Sequence, residues 1–202
     1  NDYDDVRHPV LAIDSNDSLH LSWGVEIDGE MVIHYSSNQS GNWSDTVLDR
    51  YNSNSDLITD SILVDSNDNV HLLHHRSSGY NGYDGPITHY TQENGTWTNS
   101  TAYYLKCGHG VVRPADDCEI EAVIDSNDVI HIAYEVQDIN TAASWRVADL
   151  VKVQYSNNAN GYFSPGVDVY PARHVPEMNV HSNGDVDFIY LWEKTYNWWE
   201  DK

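Results

Sequence analysis

The chain has 202 residues, with 32 acidic side chains against 10 basic ones and a formal charge of −22. So negative a field repels phosphate backbones and anionic lipid heads, which sets nucleic acid and membrane surfaces aside as partners and favours cations. Fourteen Tyr and seven Trp argue against disorder, and no run of about 18 apolar residues is present to form a membrane-spanning helix.

In chain order, the first unit opens with the apolar stretch Val10-Leu11-Ala12-Ile13. The turn Asp14-Ser15-Asn16-Asp17 comes next, then the alternating strand Leu19-His20-Leu21-Ser22-Trp23. The pattern returns around Asp65-Ser66-Asn67-Asp68 and Asp125-Ser126-Asn127-Asp128, and in worn form at His181-Ser182-Asn183-Gly184, with anchors 51, 60 and 56 residues apart. After each second strand comes a variable loop, read over Gly24–Met31, Arg76–Pro86 and Glu135–Asp149. A third strand succeeds it (Val32 to Tyr35, Ile87 to Tyr90, Val151 to Tyr155), then a short polar turn, then an aromatic that opens a fourth strand (Trp43, Trp97, Phe163). Short strands rich in β-branched and aromatic residues, joined by Asn/Gly/Ser turns, make up-and-down antiparallel sheets. Their radial repetition makes propeller blades. The fold expected is therefore all-β: three complete four-stranded blades (8–58, 59–117, 118–172) and an incomplete fourth (173–202), in one domain or propeller fragment. The fourth unit is short of two strands, so further chain or a second chain is expected to complete the ring.

The phrase Asp-Ser-Asn-Asp-x-hydrophobic-His-hydrophobic, followed by His34-Tyr35-Ser36-Ser37-Asn38 and Gly41-Asn42-Trp43, resembles the repeats of secreted bacterial and archaeal propellers related to the sialidase-type repeat. The resemblance covers nearly the whole chain and implies a fold. Propeller polysaccharide lyases of the ulvan type also resemble this repeat and use His, Tyr and Arg; in that reading His8, Tyr134 and Arg113 are imaginable partners. Sialidases need three clustered arginines, and the six present are spread along the chain.

Cys107 and Cys118 are the only cysteines. Their spacing suits a disulfide better than a metal pair, and with sequons at Asn16, Asn38, Asn42, Asn94 and Asn99 they point to a secreted glycoprotein at or outside the cell surface. Loops on a rigid scaffold carry binding residues. On the variable rim Tyr80, Tyr83, Trp145, Trp198 and Trp199, with Arg113, form the candidate glycan-binding set. Asp14, Asn16, Asp65, Asn67 and Asn69 match the start of a calcium loop, but the Gly and Glu that complete one are missing; the other reading is a turn capped by its own carboxylate. No other cofactor is expected. His20, His71 and His131 fill one slot in successive units and read as structural, as do His34 and His89 in another. His8, His74, His75 and His109 are not repeated and are better candidates for unique chemistry. The function expected is a non-catalytic extracellular module that binds glycan or protein, or builds a surface or filamentous assembly through self-association. The alternative is a polysaccharide-active enzyme, sialidase-like or ulvan-lyase-like.

Overall fold

A computed structural model describes residues 4–52, 57–76, 85–105, 120–137, 151–170 and 177–189. Every regular element in these segments is a strand. The first sheet is β1 (Asp4–Ile13), β2 (Leu19–Ile27), β3 (Glu30–Ser37) and β4 (Ser44–Asn52), hydrogen-bonded in that order. The second is β5 (Leu57–Val64), β6 (Val70–Arg76), β7 (Gly85–Glu93) and β8 (Thr96–Leu105). The third is β9 (Ile120–Ile124), β10 (Ile130–Gln137), β11 (Val151–Asn157) and β12 (Val167–Tyr170). A two-stranded sheet, β13 (Glu177–Val180) with β14 (Val186–Ile189), closes the series. All pairings are antiparallel. The first strand of each sheet touches the first strand of the next, β1 on β5, β5 on β9 and β9 on β13. The first strands therefore gather inward as blades of a partial β-propeller.

The Asp-Ser-Asn-Asp turn is built by local chemistry. Asp14 Oδ1 accepts the backbone N–H of Asn16 (2.9 Å) and of Ser18 (2.8 Å), and Asp65 and Asp125 repeat the pattern. Burial alone would raise these three carboxyls, but the amide donors and the neighbouring histidine hold each below the usual carboxylate range. The fourth turn residue is left-handed in all three intact copies: Asp17 at φ 60°, Asp68 at 61°, Asp128 at 62°. Asp tolerates that region. The worn copy places Gly184 there at φ 85°, where glycine meets no steric cost.

Apolar side chains fill the seams between blades. Met31, Ile33 and Tyr35 of the first blade pack on Ile62, Val70, Leu72 and Tyr90 of the second. Leu73 and Ile87 pack on Ile120, Ala122, Ile130 and Ile132 of the third. Of the repeated histidines, His20 and His131 are buried and His71 is half-buried, and each makes hydrogen bonds. His20 Nδ1 lies 2.6 Å from the Tyr35 hydroxyl and His131 Nδ1 lies 2.6 Å from that of Tyr155. The other ring nitrogen faces the turn carboxylate, at 3.2 Å from Asp14 and 3.5 Å from Asp125.

Three expectations need correction. Gly24–Met31 is not a loop: β2 and β3 run on to a two-residue hairpin, Asp28 (φ 54°) and Gly29 (φ 79°), the Asp-Gly chemistry of a type I′ turn. Phe163 does not open the fourth strand of its blade, which begins at Val167. His34 and His89 do not share a slot. Trp23 pairs with His34 and Ser22 with Tyr35, whereas His74 pairs with Thr88 and Leu73 with His89. His89 thus stands where the first and third blades have Tyr35 and Tyr155, with its Nε2 3.0 Å from His71 Nδ1. Burial, and then the charge on His71, push His89 down to about 4.

Candidate functional site

Strand alternation and a bulge decide which polar groups meet at the seam between the first two blades. On β6, His74 and Arg76 share a face with Val70 and Leu72, and the core contacts turn that face toward the first blade. Tyr90 on β7 points the same way. In β4 the pairing slips, Val47 facing His34 but Asp49 facing Ile33, so Leu48 is an extra residue. A bulge re-aims the side chains beyond it. Here it puts Asp49 and Tyr51 on the seam opposite His74 and Tyr90.

The four form a compact polar cluster. The Tyr51 and Tyr90 hydroxyls both donate to Asp49 Oδ2, each at 2.7 Å, and lie 3.0 Å apart. His74 stacks on Tyr51 with ring centroids 5.9 Å apart, and the Arg76 guanidinium sits 4.6 Å from the centroid of the same ring, within cation–π range. Burial, reinforced by the Asp49 carboxylate, pushes both phenols well above the usual tyrosine range. Both therefore hold their protons at neutral pH and act as donors. His74 and Tyr90 are buried, while Asp49, Tyr51 and Arg76 are half-buried. His75 is equally buried but belongs to the opposite face of β6, with Leu73.

The cluster is not repeated among the described blades. At the seam between the second and third blades the registers place Tyr103 where Asp49 stands, Leu105 for Tyr51, Tyr134 for His74 and Ser156 for Tyr90. There the Tyr134 side chain is fully buried with its hydroxyl against Gly166, so it is closed to substrate and does not join His8 in a common site. His8 itself is exposed on β1, at φ 47° in a register shift between Arg7 and Val10. A left-handed, non-glycine residue in a bulge of the innermost strand is a place where a side chain is deliberately re-aimed. Arg7 pairs with Gly24 and Val10 with Ser22, which sets His8 midway along the innermost strand of the first blade.

The rim at Tyr51 and Arg76 is the variable one, where the chain leaves β4 into 53–56 and β6 into 77–84. Tyr80, Tyr83, Trp145, Trp198, Trp199 and Arg113 lie outside the described residues, as do His109, Cys107 and Cys118. On the opposite rim, the Asp14 and Asp65 oxygens proposed for calcium face protein donors: Asp65 Oδ2 accepts Asn69 Nδ2 at 2.8 Å and Asn16 Nδ2 donates to Asp68 at 3.0 Å. Asn42, Asn94 and Asn99 are exposed, whereas Asn38 is half-buried with its Oδ1 accepting the Leu19 N–H at 2.7 Å. Sequence reasoning missed Asp49, Tyr51 and Tyr90. Their signal was a simultaneous break in the repeat at four positions, visible only in the true register.

No family model matches the sequence, and no curated protein sequence matches it. Solved structures do. The α-L-arabinanase of Penicillium chrysogenum, complexed with arabinobiose, aligns with 92% of this chain and 57% of its own at 14% identity and a TM-score of 0.56. The α-L-arabinofuranosidase Arb93A of Fusarium graminearum aligns with 88% of this chain and 54% of its own, at 13% identity and a TM-score of 0.53. The polysaccharide lyase Uly1 aligns with 95% of this chain and 50% of its own, at 11% identity and a TM-score of 0.52. At such identities the likeness concerns the fold. The chain spans about half the length of the solved structures it matches.

Proposed function

We propose that the chain belongs to a polysaccharide-cleaving propeller whose reacting groups lie on the variable rim at the seam of the first two blades. The observation that carries this reading is the unrepeated cluster of Asp49, Tyr51, Tyr90, His74 and Arg76. A residue that serves the repeat recurs in each blade, and this set occurs at one described seam. The alternative drawn from the sequence, a polysaccharide-active enzyme, is accordingly better supported than a non-catalytic module. The fold is shared with two glycosidases and a lyase, but fold alone assigns no chemistry.

Among glycan-cleaving reactions, elimination next to a uronate carboxylate fits these groups best. The cation of Arg76 would hold that carboxylate. His8, exposed on β1 of the first blade, would take the ring proton, and Tyr51, kept protonated, would donate to the leaving glycosidic oxygen. Asp49, Tyr90 and His74 orient Tyr51 from behind. The chain's charge opposes a polyanionic substrate at long range, but that repulsion is screened beyond about 8–10 Å at physiological ionic strength. Turnover should therefore rise with added salt.

The deciding experiment incubates the protein with uronate-rich polysaccharides and monitors both absorbance of unsaturated products and new reducing ends. Elimination gives both together, and Tyr51→Phe should lower the rate by about 100-fold or more. Reducing ends without unsaturation would make the enzyme a hydrolase, and binding with neither product would return the chain to the non-catalytic reading.

A further inference from the structure

Each four-stranded blade ends on an outer strand, β4, β8 or β12, whose far edge pairs with no other strand among the described residues. Such an edge offers unpaired N–H and C=O groups to any extended chain, and proteins guard it with charge, a bulge or brevity. Two of the three are guarded. β4 carries Asp45, Asp49 and Arg50 and is broken by its bulge at Leu48, and β12 is four residues long and includes Asp168. β8 is bare. Its ten residues contain no charged side chain and no proline, in a chain whose residues are 21% charged. Its own bulge falls late, at Ala102, so residues 96–101 pair without a break with residues 88–93. Thr96, Thr98, Asn99, Ser100 and Thr101 are exposed, while half-buried Trp97 seats edge-on against Tyr35 of the first blade, ring centroids 4.8 Å apart. The strand is thus pinned from within, and an incoming strand meets a preformed template that has little order left to gain.

We propose that the free edge of β8 docks a second copy of this chain, which adds its own β8 antiparallel across a two-fold axis. Two arguments select that occupant. Each copy carries a charge of −22, so two copies repel wherever acid faces acid, and β8 is the described outer strand that brings no carboxylate of its own to the contact. The strand also suits itself as a partner. Paired antiparallel about Asn99, Thr98 faces Ser100, a hydroxyl pair of the kind that stabilises neighbouring strands. Strand addition of this sort draws its affinity from main-chain hydrogen bonds. Because both partners use the same patch, the contact closes on itself as a dimer.

The test uses the full chain from a host that adds no sugar, since a glycan at Asn99 would stand over the same edge. Pairing along so short a strand buries less than a standard interface of about 1,600 Å², so a Kd on the order of 0.1 mM is expected. Sedimentation equilibrium across that concentration should show the 22.9 kDa monomer giving way to a dimer, more readily in high salt, which screens the like charges. Amide hydrogen exchange over residues 96–101 should slow as the dimer forms, with β4 and β12 unchanged. Asn99→Asp sets two carboxylates opposite each other at the axis and should weaken association about fivefold. Asn99→Lys should do the same, and mixing the two variants should restore the dimer, which also shows that both fold. A wild-type monomer at every concentration and salt would overturn the proposal, as would a dimer that leaves exchange at 96–101 unchanged or a mixture that associates no better than either variant alone.

Discussion

His89 offers the sharpest test of the blade-to-blade packing. It fills a slot in which the neighbouring blades have Tyr35 and Tyr155, so His89→Tyr restores the repeat. Space is already shaped for it: His89 meets Phe163 edge-on at 5.7 Å and 89°, and Tyr155 meets Phe188 at 5.7 Å and 87°. In the folded chain His89 titrates near 4, against 6.5 for a free histidine. Between those values the unfolded chain binds a proton that the folded chain refuses, so stability falls as pH drops from 6.5 toward 4. At 1.36 kcal/mol per unit the loss is about 3 kcal/mol. The variant, with no group titrating there, should escape it. The stability gap between His89→Tyr and wild type should therefore widen by about 3 kcal/mol from pH 7 to pH 4, or about 6–12 °C in Tm for a chain of this size. Thermal melts at half-unit pH steps measure it. A gap that stays constant across that range would show that the buried imidazole is not what makes the seam acid-sensitive.

Gly166→Ala should destabilise by about 1–3 kcal/mol, because the added methyl meets the buried Tyr134 hydroxyl and Gln154; adding Tyr134→Phe should recover part of that loss, as read by urea titration of the single and double variants. In a glycosylating host, peptide mass spectrometry should find sugar at the exposed Asn42, Asn94 and Asn99 and none at Asn16 or Asn38, whose side-chain amides bind Asp68 and the Leu19 N–H; glycan at Asn38 in folded protein would contradict the turn geometry. Cys107 and Cys118 should resist alkylation until reduced, and reduction should cost at most about 3 kcal/mol for so short a loop. Two reactive thiols in protein from an oxidising compartment would remove the disulfide from the account.

Much of the architecture was legible because it rests on chemistry that is local in sequence. Asp14 bonds the amides of Asn16 and Ser18 and faces His20, all within six residues, so the turn is legible locally and its recurrence announces the blades. Less legible was anything decided by register. Aligning His34-Tyr35 with His89-Tyr90 is natural by eye, yet the ladder pairs Tyr35 and His89 with equivalent partners and leaves Tyr90 on the other face. A slip of one residue exchanges the two faces of a strand. The same arithmetic hid the candidate site: a strict period of two would point Asp49 and Tyr51 away from the second blade, and the extra residue at Leu48 turns both inward.

The fourth unit shows how far column-reading can go when register is right. Both polar anchors change there, His181 standing for the turn aspartate and Asp187 for the slot histidine. Read separately, the two changes look like decay of the repeat. In the structure they are one change, because His181 Nε2 lies 2.7 Å from Asp187 Oδ2, and that carboxylate raises His181 above the ordinary histidine range. The pair has been transposed with its hydrogen bond intact, so what the repeat preserves at this position is the carboxylate–imidazole contact, whichever strand end supplies each half. A position that loses its residue but keeps its contact is under structural demand. The seam of Asp49, Tyr51, His74 and Tyr90 does the reverse: its equivalents, Tyr103, Leu105, Tyr134 and Ser156, repeat none of the residues and supply no carboxylate. That contrast separates what recurs in the blades from what belongs to one seam of this chain.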